Sequence, residues 1–106
     1  MDAFTVVAEP SRRTILDLLR LREHSAGELV AALPELTQPA VSRHLRILRE
    51  AGLVAVEADA QKRIYTLRAS GLAEIEAWLA PYRSEWAERL DALEQHLDRK
   101  GSQSNE

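Results

Sequence analysis

The chain has 106 residues, 45% hydrophobic and 29% charged, enough for one compact core and too few for a multidomain enzyme. It contains no cysteine, which excludes disulfide staples, thiolate metal sites and cysteine nucleophiles, and only four Gly and four Pro, which excludes collagen-like and low-complexity readings. The net charge of −3 is unevenly spread, at −2 over residues 1–36, +3 over 37–70 and −4 over 71–106, so a basic middle offers a local contact for an anion.

The N-terminus, MDAFTVVAEP, lacks the basic start and apolar run of a secretory signal. No stretch approaches the ~20 apolar residues of a membrane span. A cytoplasmic chain with no membrane contact is expected. A short apolar segment, Phe4 to Ala8, stops at Glu9-Pro10, and a second helix is predicted from Pro10, since proline is tolerated in a first helical turn. Its apolar positions Ile15, Leu16, Leu18, Leu19 and Leu21 recur at helical spacing and predict a core face. Ser25-Ala26-Gly27-Glu28 is a capping box, which predicts a short helix to about Leu33, where Pro34 stops it. Thr37 is the expected N-cap of a helix over Gln38 to Ala51. Gly52 suits the left-handed residue that ends it, with Leu53 against Leu48 in a Schellman-type stop.

From Leu53 the apolar period changes to two: Val54 and Val56, then Tyr65 and Leu67, flank the polar connection Asp59-Ala60-Gln61-Lys62 and predict an antiparallel hairpin. After Gly71 helical spacing returns through Leu72, Ile75, Leu79, Tyr82, Trp86, Leu90, Leu93 and Leu97. Pro81 falls inside this run and predicts either a kink or two abutting helices. The stretch Gly101 to Glu106 reads as a disordered polar tail. The expected organisation is a body over residues 1–70, a helix over 71–100 belonging to the same domain, and that tail.

The fold class is therefore mainly α with a small β-hairpin, in the order of a winged helix-turn-helix whose hairpin is the wing. The segments TQPAVSRHLRILREAGLV, AEPSRRTILDLL and the Arg63-Ile64-Tyr65 wing strand also stand in family order and spacing. Through them the chain, over about residues 3 to 70, resembles the ArsR-type winged-helix transcriptional repressors.

At 100° per residue, Ala40, Val41, Leu45, Ile47 and Leu48 share one side of the Gln38–Ala51 helix, and Gln38, Ser42, Arg43, Arg46, Arg49 and Glu50 the other. The plain alternative is a solvated surface, but three arginines against one acid, after a capped short helix and before a hairpin, favour double-stranded DNA. Arg matches guanine bidentately, Gln matches adenine, and small side chains contact the thymine methyl. The base-side candidates are Gln38, Ala40, Ser42, Arg43 and Arg46, whereas Arg49, one turn on, is expected at a phosphate. His44 has two readings: its angle turns it inward to packing, while the resemblance implies a DNA contact. Lys62 and Arg63 in the wing are expected at phosphates, although the turn has no glycine. Arg12 and Arg13 stay unassigned between pairing with an acid and meeting DNA.

The resemblance implies a symmetric homodimer formed by the first and last helices. The apolar stripe supports it, because Leu79, Tyr82, Trp86, Leu90, Leu93 and Leu97 offer more surface than a 70-residue body covers. Phe4 and Val7 are expected to join the interface. A dimer would place two recognition helices on an inverted-repeat operator.

Metal sensors of the family carry cysteine pairs in the short helix or carboxylate–histidine sets in the last one. This chain has neither, and only Glu94-Gln95-His96 imitates half of a histidine site. The resemblance is thus to a metal-free subgroup, with no metal site, no cofactor and no identified effector. His24 and His96 are read as surface residues. The alternative function is a winged-helix scaffold that binds another protein through its last helix. An enzyme is not expected, for there is no phosphate-cradling glycine loop and no nucleophile beside a base.

Overall fold

The computed structural model describes residues 1–104. Residues 1–75 form one folded body and the chain from Glu76 a second unit. The body contains α1 (Ala3–Ala8), α2 (Pro10–Leu21), β1 (His24–Ser25), α3 (Ala26–Ala32), α4 (Gln38–Glu50), β2 (Val54–Asp59), β3 (Lys62–Leu67), a 3₁₀ turn (Ala69–Leu72) and the start of α5 (Ala73–Ser104).

Each of α1 to α4 begins where a side chain satisfies orphan backbone N–H groups. Asp2 accepts from the Thr5 amide at 2.8 Å and Glu9 from the Arg12 amide at 3.2 Å. Ser25 and Glu28 complete a reciprocal capping box at 3.1 and 3.0 Å, and Thr37 accepts from the Ala40 amide at 3.2 Å. Helix α4 ends in the Schellman arrangement: Gly52 has φ +79°, the Leu53 amide donates to the Leu48 carbonyl at 2.9 Å, and the Gly52 amide donates to Arg49 at 3.0 Å.

The core joins Val6 of α1, Ile15 and Leu19 of α2, Leu29 and Leu33 around α3, Val41, Leu45 and Leu48 of α4, then Leu53, Val54 and Tyr65. Burying these side chains contributes ~1.5–3 kcal/mol each. Leu21, predicted on the core face, is the last residue of α2 and is 72% exposed.

Strands β2 and β3 pair antiparallel from Val54↔Leu67 to Asp59↔Lys62, so Val54, Val56, Tyr65 and Leu67 share the inner face as their alternation predicts. The loop is only Ala60-Gln61, and Ala60 takes φ 56° at the first loop position, where a II′ turn favours glycine. The hairpin is extended to a three-stranded sheet, order β1-β3-β2, by a two-residue strand too short to show a period. That strand overturns the surface reading of His24. Its pairing with Tyr65 buries the ring to 7% exposure, and Nδ1 donates to the Arg22 carbonyl at 2.9 Å.

Gly71 lies against the end of α4. A Cβ there would stand 2.4 Å from the Gly52 carbonyl oxygen and 2.9 Å from Leu53 Cδ2, so only glycine allows the approach.

Helix α5 runs through Pro81 as one helix rather than two abutting ones. Proline deprives the Ala77 carbonyl of its intrahelical donor, but Ala77 is exposed and water can serve that carbonyl. The Trp78 and Tyr82 rings, one turn apart, stack at 5.2 Å with a 50° tilt, and Arg83 pairs with Glu76. The helix continues through Ser104, into the stretch read as a polar tail, while Asn105 and Glu106 lie outside the described residues. His96 is exposed, as read.

Candidate nucleic-acid interface

Helix α4 owes its orientation to its apolar side. Val41, Leu45 and Leu48 are at most 2% exposed, which turns Gln38, Ser42, Arg43, Arg46, Arg49 and Glu50 to solvent. Ala40 is half-buried at the edge of this face. None of the Arg43, Arg46 and Arg49 side chains makes a hydrogen bond or ion pair among the described residues, so their charge is available to an external anion.

The wing brings further cations to the same side. Arg63 of β3 lines a groove of about 190 Å³ together with Ser42, Leu45, Arg46 and Arg49 of α4, with Tyr65 also in its wall. Gln38 and Ser42 border a second hollow of about 200 Å³ with Ala26, Gly27 and Val30 of α3. Lys62 and Arg63 border a third, of about 380 Å³, with Ser25, Ala26, Gly27 and Gln61. Three elements distant in sequence thus contribute to one surface. The start of α3 and Gln61 are the parts that sequence reasoning missed. The capping box at Ser25 marked a helix start, but nothing in its spacing showed that it would lie beside the wing.

Electrostatics keep this start in place. The backbone N–H of Ser25 and then the Arg22 guanidinium, at 3.0 Å, hold the Glu28 carboxyl down at about 2. Glu9 is also lowered: desolvation pushes it up, but the backbone N–H groups of Ser11 and Arg12 outweigh that.

His44 is not on the exposed face. Its side chain is 16% exposed and its Nδ1 lies 3.3 Å from Arg12 Nη1. Neither Arg12 nor Arg13 forms an ion pair within the salt-bridge distance among the described residues. Arg12 Nε donates to the Val6 carbonyl at 2.7 Å and Nη2 to Thr5 at 3.5 Å, while Arg13 Nη1 donates to Val7 at 2.7 Å and Ala8 at 3.0 Å. Together they satisfy the last four carbonyls of α1, which a six-residue helix leaves orphaned.

Among the residues expected at a dimer interface, Phe4 and Val7 are half-buried, and Val7 lines an apolar groove of about 340 Å³ with Leu16, Leu67, Leu72 and Ile75. Leu79 is half-buried, whereas Tyr82, Trp86, Leu90, Leu93 and Leu97 are 46–62% exposed. Among the described residues no group of three or more His, Asp or Glu is placed to hold a metal ion, and no helix is long and apolar enough to cross a membrane.

A short helix, a turn and a second helix with a free arginine face, followed by a hairpin that carries Lys62 and Arg63, define a winged helix-turn-helix of the DNA-binding type. Comparison with known proteins narrows the class. The model of the bacterial regulatory protein ArsR family matches residues 9–56. The regulator Rv2034 of Mycobacterium tuberculosis is 33% identical over 99 residues, covering 93% of this chain and 89% of its own. The uncharacterized regulator Rv0081 of the same organism is 39% identical over 74 residues, and this chain spans 65% of its length. The crystal structure of a possible transcriptional regulator for arsenical resistance superposes with a TM-score of 0.70 at 38% identity, over 87% of this chain and 95% of that one. The chain belongs to the ArsR family of bacterial helix-turn-helix transcriptional regulators, a family of regulators rather than enzymes.

Proposed function

We propose that the chain is a sequence-specific repressor that binds double-stranded DNA as a homodimer on an inverted repeat. The observation that carries the reading is the α4 face, with three arginines unpaired among the described residues, beside the Arg63 groove. In this reading Gln38, Ala40, Ser42, Arg43 and Arg46 meet base edges, and Arg49, Lys62 and Arg63 meet phosphates. The inward placement of His44 supports its packing role. Self-association through Leu79, Tyr82, Trp86, Leu90, Leu93 and Leu97, with Phe4 and Val7, covers apolar side chains that otherwise stand in water. A two-fold dimer sets its recognition helices in successive major grooves, about 34–36 Å apart, and repression follows where the occupied site excludes polymerase from a promoter.

The test is anisotropy titration of the protein against DNA from its own upstream region and a shuffled duplex, at several salt concentrations. Preferential binding is expected, with log affinity falling by about 0.9 per phosphate contacted for each decade of salt. Arg46→Ala should cost ~1–3 kcal/mol on the preferred duplex, and Arg49→Ala should weaken both duplexes alike. Equal weak binding to both, together with no enrichment from genomic DNA, overturns the reading. A scaffold that docks a protein partner on the exposed α5 stripe would then take its place.

A further inference from the structure

We propose that Arg12 and His44 are positioning residues for DNA recognition, a part-buried guanidinium–imidazole contact that fixes the rotational setting of α4 against α1 and α2. The inference rests on the reading of α4 as the recognition helix.

Arg12 is 8% exposed, a rare place for a guanidinium without a carboxylate within ion-pair distance. Its donors run to two elements: Nε and Nη2 to the α1 carbonyls of Val6 and Thr5, and Nη1 to His44 Nδ1 in α4. A guanidinium only donates, so Nδ1 must accept and the ring proton sits on Nε2. Nε2 faces Glu9 Oε2 at 3.8 Å, and that same oxygen caps α2 by accepting from the Arg12 amide at 3.2 Å. The imidazole is therefore held between the first turn of α2 and the Arg12 side chain.

His44 directly follows Arg43 and lies half a turn from Arg46. Val41, Leu45 and Leu48 hold α4 on the core, and a ring released from Arg12 leaves it a small further rotation about its axis, enough to displace both arginines at base edges, where tolerance is about 0.5 Å. Phosphate contacts tolerate such a shift better, so the loss falls on specificity. Because Arg12 also binds the α1 carbonyls, any displacement of α1 reaches α4 through the same guanidinium.

Two arms test this. Long-range ¹H–¹⁵N NMR of the DNA-free protein, with the ring neutral, should show His44 as the Nε2–H tautomer; an Nδ1–H tautomer overturns the contact. The second arm uses duplexes that the wild-type chain selects from a random pool. His44→Leu should lower the preference for selected over shuffled DNA by about tenfold, with the salt slope unchanged. His44→Asn, which keeps an acceptor near the Nδ1 position, should restore most of it. Arg12→Met combined with His44→Leu should lose no more than His44→Leu alone. An unchanged preference in His44→Leu overturns the proposal, as do additive losses in the double variant. So does a salt slope reduced by about 0.9, the mark of a direct phosphate contact. If Arg12→Met does not melt cooperatively, the two His44 variants decide. A wild-type chain that selects no duplex overturns the DNA reading and the positioning role together, while the tautomer still reports separately on the contact.

Discussion

Helices α4 and α5 carry the same kind of pattern, apolar residues every three or four positions, and meet opposite fates. In α4, Val41, Leu45 and Leu48 are at most 2% exposed, and what faces water is Gln38, Ser42 and three arginines. In α5 the apolar residues face water along with the charged ones, from Trp78 at 55% to Leu97 at 56% exposed. A helical stripe states only that some surface will cover it. For α4 that surface is α2, α3 and the sheet, while the α5 stripe from Tyr82 to Leu97 is 46–62% exposed.

The sharpest test of the contrast compares two leucine truncations. Leu48→Ala, at a site with no exposure, should cost ~2–5 kcal/mol in chemical denaturation. Leu93→Ala, 53% exposed, should shift unfolding of dilute protein by under ~0.5 kcal/mol while weakening self-association in sedimentation. A large stability loss in dilute Leu93→Ala would break the comparison. Gly71→Ala should cost ~1–3 kcal/mol by the same denaturation measurement, since its Cβ would meet the Gly52 backbone that ends α4.

A smaller effect of opposite sign is expected in the wing. Ala60→Gly removes the strain of φ 56° and should raise stability by ~0.5–1 kcal/mol, seen as a higher melting temperature. The smallest effect is the pH dependence of the capping box. Glu28 is lowered from 4.5 to about 2, so its contribution is present above pH 4.5 and is lost as pH falls toward 2. The stability difference between wild type and Glu28→Gln should shrink across that window.

Much of the body was legible in the sequence because its signals are local. Ser25 with Glu28, Thr37 before Gln38 and Gly52 after α4 follow from bonds within a few residues, and the alternation of Val54, Val56, Tyr65 and Leu67 from the period of a strand. The polar face of α4 was legible for the same reason. What escaped depended on distant partners. His24 became buried through a two-residue strand opposite Tyr65, and Leu21 stayed exposed although its spacing matched the core. Arg12 and Arg13, unassigned in the sequence between pairing with an acid and meeting DNA, cap a helix that precedes them.

The sequence by itself determined where the helices of the body start and stop, the existence of the hairpin and the arginine-bearing face, since backbone capping and side-chain periodicity are short-range physics. Only the tertiary structure decided that the start of α3 lies beside the wing, that Arg63 joins Arg46 and Arg49, and that Arg12 reaches His44. Those contacts depend on how packed elements stack, and no local pattern encodes which side chain a buried guanidinium will find across the core.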